Sequence, residues 1–323
     1  MITPNRRGLL LGAAMLATPG ILRARAAWPD GPIRIVAPFP PGGSADLICR
    51  LVQTPLQQSL GVPVVIENRP GGSGAVGTAA VARDRADGQS FVLVFDSHVI
   101  NPLLNPTLGF DPEKDLRAVM LVATAPMLIT TPDAKPYKTL ADVIAVARQG
   151  TDRISFGTVG VGSLAHLTME RLQQVTGTQM VHVPYRGGGP MSTAAMAGEI
   201  DLAVASVVGL GRQVGTSLRP LAQSGASRSP RRPDIPTIGE AGVAGVASEA
   251  FWGFCTQSGV SDAIVTRFNA ALVDALATPA VRHPLESQGC TVMASSPDEF
   301  DRFLGEQSAI WSKVVRERHI TAQ

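Results

Sequence analysis

Short apolar runs alternate with helix-forming stretches along almost the whole chain, and this alternation limits the possible folds more than any single motif does. The runs are four to six residues long and cover 62–66, 91–95, 119–123, 127–130, 154–157, 180–183 and 200–205. Between most of them, apolar residues recur every three or four positions, as in amphipathic helices. Continuous Val, Ile and Leu runs separated by helices are typical of parallel strands covered on both faces. The pattern therefore predicts an α/β fold of mostly parallel sheets flanked by helices.

The first 26 residues have the composition of an export signal rather than of a folded element. They contain four arginines and no acidic residue, an apolar stretch over 8–16, and a small-x-small cleavage site at Ala24-Arg25-Ala26. Residues 5–10 also resemble a twin-arginine export motif, and either export route leads out of a bacterial cytoplasm. We therefore expect the mature protein to be periplasmic.

The mature chain is expected to fold as two lobes. Its length of about 297 residues, 323 less the 26 of the signal, exceeds one ordinary core. Two apolar extended segments, 125–131 and 248–255, indicate that the chain crosses twice between the lobes. We predict lobe 1 from residues 27–124 with 250–323 and lobe 2 from 125–249, with a ligand site between them. Helices predicted over 262–277 and 297–315 are expected to pack back on lobe 1.

Charge and hydropathy exclude two classes of partner. Loss of the four signal arginines leaves 24 basic and 26 acidic residues, a formal charge of −2. A nearly neutral chain has no basic surface for nucleic acid, so no nucleic-acid partner is expected. No stretch after residue 27 approaches the roughly 18 consecutive apolar residues of a membrane-spanning helix, so we expect a soluble mature protein.

The cysteines and histidines give no metal signature. Cys49, Cys255 and Cys290 form no C-x-x-C pair, and no H-E-x-x-H motif occurs. Cys255 and Cys290 remain candidates for a disulfide, because a sequence does not give the Cα separation that the bond requires. His166 and Glu170 are four apart on a predicted helix, a spacing that more often gives an ordinary surface interaction than a metal pair.

Glycine-rich turns recur four times after predicted strands, at 41–44, 70–74, 160–163 and 186–189. In the first, the strand near Ile33 runs into Gly42-Gly43 and then into a helix start with Ser44 and Asp46. Glycines let a ligand approach the main chain, and the first N–H groups of a helix attract anions. The turns are therefore either ordinary strand-to-helix connections or an anion site that converges from both lobes.

Other side chains beside these turns suit the second interpretation. Tyr185 and Arg186 follow a predicted strand and supply a hydroxyl and a guanidinium group, which would suit an anion. His166 follows the third turn and is a candidate hydrogen-bond donor to a ligand.

Enzymatic alternatives have weaker support. Neither G-x-S-x-G nor S-x-x-K is present, so hydrolase chemistry has no obvious nucleophile. Residues 72–77 match G-x-G-x-x-G, and Asp96 ends the next strand about 20 residues on, where a ribose-binding acid would lie. An exported NAD(P)-dependent oxidoreductase is therefore the alternative hypothesis, although residues 67–71 make the turn longer than the dinucleotide fingerprint allows.

The sequence resembles one known family across essentially the whole mature chain. The motifs that carry the resemblance are Pro-Phe-Pro-Pro-Gly-Gly-x-x-Asp at 38–46, Val-Val-Ile-Glu-Asn-Arg-Pro-Gly at 64–71, Ala-Asp-Gly at 86–88, Asn-Pro at 101–102, Phe-Asp-Pro at 110–112, His-Val-Pro-Tyr-Arg-Gly at 182–187, Asp-Ile-Pro-Thr at 234–237 and Glu-Ala-Gly at 240–242. In this order they look like the solute receptors of tripartite tricarboxylate transporters, also called Bug-type receptors. The resemblance implies a two-lobed periplasmic binding protein of the Venus-flytrap kind that captures a small carboxylate and delivers it to an integral membrane permease. It implies no catalysis and no cofactor.

In that family two of the glycine turns act as pincers on a carboxylate. The resemblance carries this role to Gly42, Gly43, Ser44 and Asp46 in the first turn, and to Gly160, Gly162, Ser163 and His166 in the third. With the neighbouring candidates, the expected ligand-binding residues are Phe39, Gly42, Gly43, Ser44, Asp46, Gly72, Ser73, Gly74, Ser97, His98, Gly160, Val161, Gly162, Ser163, His166, Tyr185, Arg186 and Ser206.

Two positions depart from the family pattern. An acidic residue that often follows the strand at 200–204 is Ala205 here, and a common Trp in the last crossing is Phe251 beside Trp252. Because the ammonium group of an amino acid favours an acidic partner, the first departure argues against amino-acid ligands.

Overall fold

The structure is a computed structural model that describes residues 28–105, 108–150, 153–210, 213–318 and 320–321. The predicted export signal lies outside the described residues. Strand pairing divides the molecule into two parts, which we call the first half and the second half, and two long strands pass through both.

The first half is built on three parallel strands in the order β2-β1-β3. The strands are β1 (Ile33–Ala37), β2 (Val64–Asn68) and β3 (Ser90–Phe95). Helices α1 (Ser44–Leu60), α2 (Ala75–Ala82) and α3 (Ser97–Leu104) follow these strands in turn, and a 3₁₀ turn, Gly72–Gly74, leads into α2. Every strand thus ends in a turn that leads to the start of a helix, as the apolar pattern predicts.

Strand β4 (Leu116–Pro132) joins the halves, after the short helix α4 (Pro112–Asp115). We predicted two separate runs, 119–123 and 127–130, and this was wrong because β4 is continuous over 17 residues. Up to Pro126 it pairs with β9, and from Met127 it pairs with strands of the second half. Pro126 does not end the strand, because it lies where the strand changes partners.

The second half repeats the arrangement with the parallel order β6-β5-β7. Its strands are β5 (Ser155–Thr158), β6 (Val181–Pro184), β7 (Leu202–Ser206) and β8 (Leu218–Gln223), and its helices are α5 (Leu140–Ala147), α6 (Leu164–Thr176), α7 (Gly188–Met196) and α8 (Val207–Leu210). Strand β4 runs antiparallel to both β7 and β8, so the sheet is mixed where the halves meet.

The chain returns to the first half along β9 (Glu249–Gln257), which lies antiparallel between β3 and β4. Helices α9 (Asp262–Ala277), α10 (Pro279–Ser287) and α11 (Pro297–Arg318) follow, with the short strand β10 (Thr291–Val292) on β4. Helix α9 packs on α1, and α11 packs on β4 and α3, as expected, but α11 also touches α6 of the second half. The predicted lobe boundaries stay a prediction, since one apolar core also runs through both halves.

The cysteines and the helix lengths add two observations. Cys49, Cys255 and Cys290 are all buried and unbridged, and burial raises the pKa of Cys290 to about 12. Within the described ranges no single helix has both the length and the apolar character of a membrane crossing; α9 and α10 reach that composition only as a pair, bent by 71°.

Candidate functional site

A cavity of about 230 Å³, which we call the cleft, lies between the two halves and is bordered by residues of both. It is lined by residues 39–45, 95, 96, 127, 159, 186–190, 205, 206, 208, 209, 250 and 252. The first half supplies the turn before α1 and the end of β3, and the second half supplies the turn before α7 and the β7–α8 junction. Met127 of β4, with Ala250 and Trp252 of β9, closes it from the crossing strands.

The turn before α1 presents its backbone to the cleft. Gly42 has a φ of +85°, which a residue with a Cβ adopts only with strain, and Gly43 is the N-cap of α1. A Cβ atom placed on Gly43 would meet no atom nearer than the Pro40 carbonyl oxygen at 3.7 Å. The first turn of a helix has no intrahelical partners for its N–H groups, so α1 directs positive potential into this open space.

Asp46 fixes this turn instead of lining the cleft. Its carboxylate is 5% exposed and accepts hydrogen bonds from Gly42 N (3.0 Å), Arg50 Nε (2.9 Å) and Asn68 Nδ2 (3.0 Å). Burial alone would raise the pKa of Asp46, but these three donors outweigh burial and lower it. The ionised Asp46 carboxylate thus holds Gly42 in its left-handed conformation. Direct contact between Asp46 and a ligand stays a prediction.

Ser44 is tied to the last crossing strand. Trp252 Nε1 donates to Ser44 Oγ at 3.2 Å, so the start of α1 is held by β9. Phe251, which precedes Trp252 in β9, is fully buried in the core and does not line the cleft. Its ring lies edge-on to that of Phe303, with ring centroids 5.0 Å apart.

The start of α7 faces α1 from the second half. Gly187 is its N-cap, with a φ of +128°, and added Cβ atoms on Gly187 and Gly189 would meet no atom within 4 Å. Gly188, in contrast, packs against the backbone of Gly209, where a Cβ would lie 2.0 Å from a carbonyl oxygen. Two helix N-termini from opposite halves therefore border one cavity. The glycine turn at 186–189 was predicted from the sequence, but Gly187, Gly188 and Gly189 were not among the expected ligand-binding residues.

The start of α6, predicted as the second pincer, is packed against protein. Gly162 touches α3, since a Cβ there would lie 2.2 Å from Leu104 Cδ1. Ser163 caps α6 by accepting from His166 N at 3.3 Å, and His166 Nδ1 in turn accepts from Gly162 N at 3.2 Å. Val161, Gly162, Ser163 and His166 do not line the cleft, and their contact with a ligand stays a prediction.

The His166 ring contacts neighbouring protein groups. Its ring stacks on His182 with centroids 4.0 Å apart, and Nε2 lies 3.8 Å from Glu170 Oε1. Burial lowers the pKa of His166, while the Glu170 carboxylate acts in the opposite direction. No group of three or more metal-ligating side chains occurs among the described residues.

A second cavity of about 620 Å³, which we call the side cavity, adjoins the cleft and shares Phe39, Pro40, Val159 and Arg186 with it. Gly72, Ser73, Gly160 and Tyr185 line this side cavity and do not line the cleft. The predicted residues are thus divided. Phe39, Gly42, Gly43, Ser44, Arg186 and Ser206 meet at the cleft, and a second group meets beside it.

Gly74, Ser97 and His98 lie behind the cleft, around a void of about 10 Å³. Ser97 Oγ donates to the Ser73 carbonyl oxygen at 2.7 Å and so braces the second glycine turn. His98 is buried, which lowers its pKa to about 4, and its Nδ1 has no hydrogen-bond partner in the described part of the chain. His98 also borders a larger cavity of about 760 Å³ beside α11.

The walls of the cleft are mostly apolar, and several of these residues were not predicted. Phe39 and Phe95 pack with ring centroids 4.3 Å apart, and Met127, Val208 and Trp252 extend the surface. Ala205, an uncharged residue, also lines the cleft. Among the lining residues the charged side chains are Arg186, which is exposed, and Asp96, which is 5% exposed. A continuous apolar run predicts burial for such side chains but not the cavity that they border.

Comparison with known proteins agrees with this architecture. The family model described as "Tripartite tricarboxylate transporter family receptor" matches residues 48–320. Protein BugT of Bordetella pertussis is 31% identical over 307 residues, which cover 94% of each chain. A solved structure described as Rhodopseudomonas palustris Rpa4515 with adipate has a TM-score of 0.86 and 31% identity, covering 91% of this chain and 99% of that one. MatC of the same species, solved with bound malate, has a TM-score of 0.83 and 27% identity, covering 89% and 99%.

The family model and the solved relatives, together with the fold, place the chain among solute-binding proteins. The chain belongs to the tripartite tricarboxylate transporter receptor family, which its motifs resembled. The comparisons give no support to the NAD(P)-dependent oxidoreductase. The first three residues of its predicted fingerprint form the 3₁₀ turn Gly72–Gly74, and the last three begin α2; Gly72 and Ser73 line the side cavity.

Proposed function

We propose that this protein is an exported periplasmic receptor that captures a small carboxylate in the cleft and delivers it to the membrane permease of a tripartite tricarboxylate-type transporter. The observation that carries the proposal is the pair of helix N-termini, α1 and α7, that face one small cavity from opposite halves. A helix start favours an anion by up to about 2 kcal/mol when partly buried, so two helix starts acting together give useful affinity.

The composition of the walls limits the rest of the ligand. Phe39, Phe95 and Trp252 favour an apolar carbon chain or ring, and Arg186 at the border with the side cavity suits a second anionic group. Ala205 offers no charge to an ammonium group. Dicarboxylates such as the adipate and malate found with two related structures are therefore the first candidates.

The family and the N-terminal residues support export and delivery. The arginine-containing segment up to Ala26 has the features of an export signal, and the family receptors serve tripartite transporters. Deletion of residues 2–26 is expected to keep the protein in the cytoplasm of a producing bacterium, measured by cell fractionation. Delivery is tested by the loss of carboxylate uptake in a strain that lacks this receptor and its recovery when the gene is restored.

The ligand proposal is tested by thermal unfolding against a panel of organic acids. A ligand present at 100 times its Kd stabilises the folded protein by about 2.7 kcal/mol, so a bound carboxylate is expected to raise Tm by several degrees. The panel contains adipate, malate, succinate, nicotinate and acidic amino acids. Adipamide, which has the shape of adipate without its charges, is the matched control and is expected to leave Tm unchanged. Absence of a shift with every carboxylate, or equal shifts with adipate and adipamide, would overturn the proposal.

A further inference from the structure

Asp96 is a buried carboxylate in the wall of a cleft that we expect to hold an anion. It lies between β3 and α3, is 5% exposed and lines the cleft. In the described part of the chain no lysine, arginine or histidine forms an ion pair with it, whereas Asp46 nearby is paired with Arg50 at 2.9 Å. A buried charge without a counterion is costly, and such a group usually becomes neutral by binding a proton.

The surroundings of Asp96 belong to both halves. The backbone N–H groups of Ser97 in α3 and of Leu164, the first residue of α6, approach the carboxylate closely enough to lower its pKa. Burial acts against them and is the larger effect, so the pKa of Asp96 is raised to about 7. The side chain therefore lies at the junction of the halves and titrates close to neutral pH.

Neighbouring titratable groups do not compete with Asp96 in this range. The charged and titratable side chains on the elements around it include Asp46 with Arg50 on α1, His98 on α3, the His166–Glu170 pair on α6, and Arg186 before α7. Burial keeps His98 neutral above its pKa of about 4 and also lowers the pKa of His166. Asp46 stays ionised because its pKa is lowered.

We propose that Asp96 is the proton-binding residue of the cleft, so that capture of a carboxylate ligand is coupled to the uptake of one proton at the Asp96 carboxyl group. The inference rests on the proposed function, because the anion that drives the uptake is the ligand itself. Two negative charges in one small, partly apolar cavity repel each other, and protonation of Asp96 removes that repulsion. The neutral carboxyl group remains an acceptor for the N–H of Leu164.

The sign of the pH dependence follows from the direction of this change. A bound anion raises the pKa of Asp96 further above its value of about 7 in the free cleft. The additional affinity is fully present below the pKa of the free protein and is lost as pH rises through the higher pKa of the complex. We therefore expect constant affinity below about pH 6, and a decrease of about tenfold from there to pH 9 if the ligand raises the pKa of Asp96 by about one unit.

The test is isothermal titration calorimetry of the wild-type protein with adipate and with malate from pH 5.5 to 9, each in two buffers of different ionisation enthalpy. The dependence of the observed enthalpy on the buffer gives the number of protons taken up. For a pKa increase of about one unit, we expect the largest uptake, about half a proton, near pH 7.5, midway between the pKa values of the free and the bound protein. Asp96→Asn keeps an acceptor oxygen but cannot titrate, so it is expected to bind with no such uptake and with affinity independent of pH. Asp133→Asn, which changes an exposed carboxylate paired with Arg219, is the matched control and is expected to behave as wild type.

Four outcomes would overturn the inference. If the wild-type protein binds adipate or malate without proton uptake at every pH tested, the proton-coupling inference is wrong, while the proposed function remains. This result needs only the wild-type protein, so it holds even if Asp96→Asn does not fold. The same uptake in Asp96→Asn would assign the proton to another group. Aspartate differs from malate by an ammonium group in place of a hydroxyl, so tighter binding of aspartate without uptake would make Asp96 a counterion instead. If no carboxylate binds, both proposals fail together.

Discussion

The start of α1 and the start of α6 are similar in sequence but differ in their surroundings. Both follow a parallel strand and a glycine turn, and Ser44 and Ser163 lie at comparable positions in the two turns. At α1 the Gly43 backbone borders open space in the cleft, whereas at α6 Gly162 is packed against Leu104 of the other half. An anion can approach the first helix, while the second is already covered by protein.

The difference shows that a helix N-terminus is open to an anion only when nothing else packs on it. The N–H groups of α6 have the same intrinsic affinity for anions as those of α1. In this structure Ser163 caps them from within the helix, and the Asp96 carboxylate approaches them from the first half. The position opposite α1 is occupied by α7, whose glycines leave the cavity open. Substitutions at the two turns should therefore affect different properties.

The largest expected effect is that of Gly162→Val on stability. Gly162 has a φ of +73°, and a Cβ there would meet Leu104 Cδ1, so backbone strain and overpacking combine. We expect the free energy of unfolding to fall by about 2–4 kcal/mol, measured by urea denaturation, with little change in the ligand affinity of the folded protein. Gly31→Val, at a position with open space and no positive φ, is the control. A loss below about 1 kcal/mol would mean that Leu104 moves aside and that the two turns are more alike than their packing indicates.

Gly43→Val should have the opposite profile. The new side chain has room but projects into the cleft, so the ligand loses its approach to the start of α1. We expect affinity for the bound carboxylate to fall about tenfold, the equivalent of one helix-start contact, with unfolding free energy within about 1 kcal/mol of wild type. Calorimetric titration measures the affinity and urea denaturation measures the unfolding free energy, with Gly31→Val as the control. Unchanged affinity would remove α1 from the site.

Trp252→Phe tests how firmly the α1 turn is held. The substitution keeps an aromatic ring but removes the donor to Ser44 Oγ. Loss of one such hydrogen bond is expected to cost about 1 kcal/mol in unfolding free energy and to weaken ligand binding about two- to fivefold. A double-mutant cycle with Ser44→Ala measures the coupling, and additive effects would show that this bond does not contribute to either property.

Arg186→Gln is expected to have the smallest effect. The side chain is exposed at the border of the cleft and the side cavity, where salt and water screen its charge. We expect the affinity for a dicarboxylate to fall about two- to fivefold at low ionic strength and the difference to disappear in about 1 M salt. Arg85→Gln, which changes an exposed arginine paired with Asp87, is the control. A difference that persists in high salt would place Arg186 in direct contact with the ligand.

Much of the fold was readable from local pattern. The predicted helix over 262–277 coincides with α9, and the first residue of α11 is the predicted Pro297. The continuity of β4 was missed, because a proline and a change in strand partners look like a break when the sequence is read alone. Strand β8 was not predicted, since its polar and proline-containing residues carry little strand signal.

The candidate site was predicted less evenly. Gly42, Gly43 and Ser44 were found from the glycine turn, and the cleft contains all three. Asp46 was placed near the ligand, yet three donors hold it inside its own turn. Phe95 and Trp252 were missed as lining residues, because apolar residues in a strand predict a core and not the border of a cavity.

The sequence alone determined the alternation of strands and helices, the positions of the glycine turns and the family to which the chain belongs, because these depend on residues close together along the chain or on motifs in a fixed order. The tertiary structure decided which helix starts remain open and which are covered. That choice depends on contacts between residues far apart in sequence, such as Gly162 with Leu104 and Ser44 with Trp252. It also placed Asp96 in the wall of the cleft with no counterion among the described residues, and burial there raises its pKa.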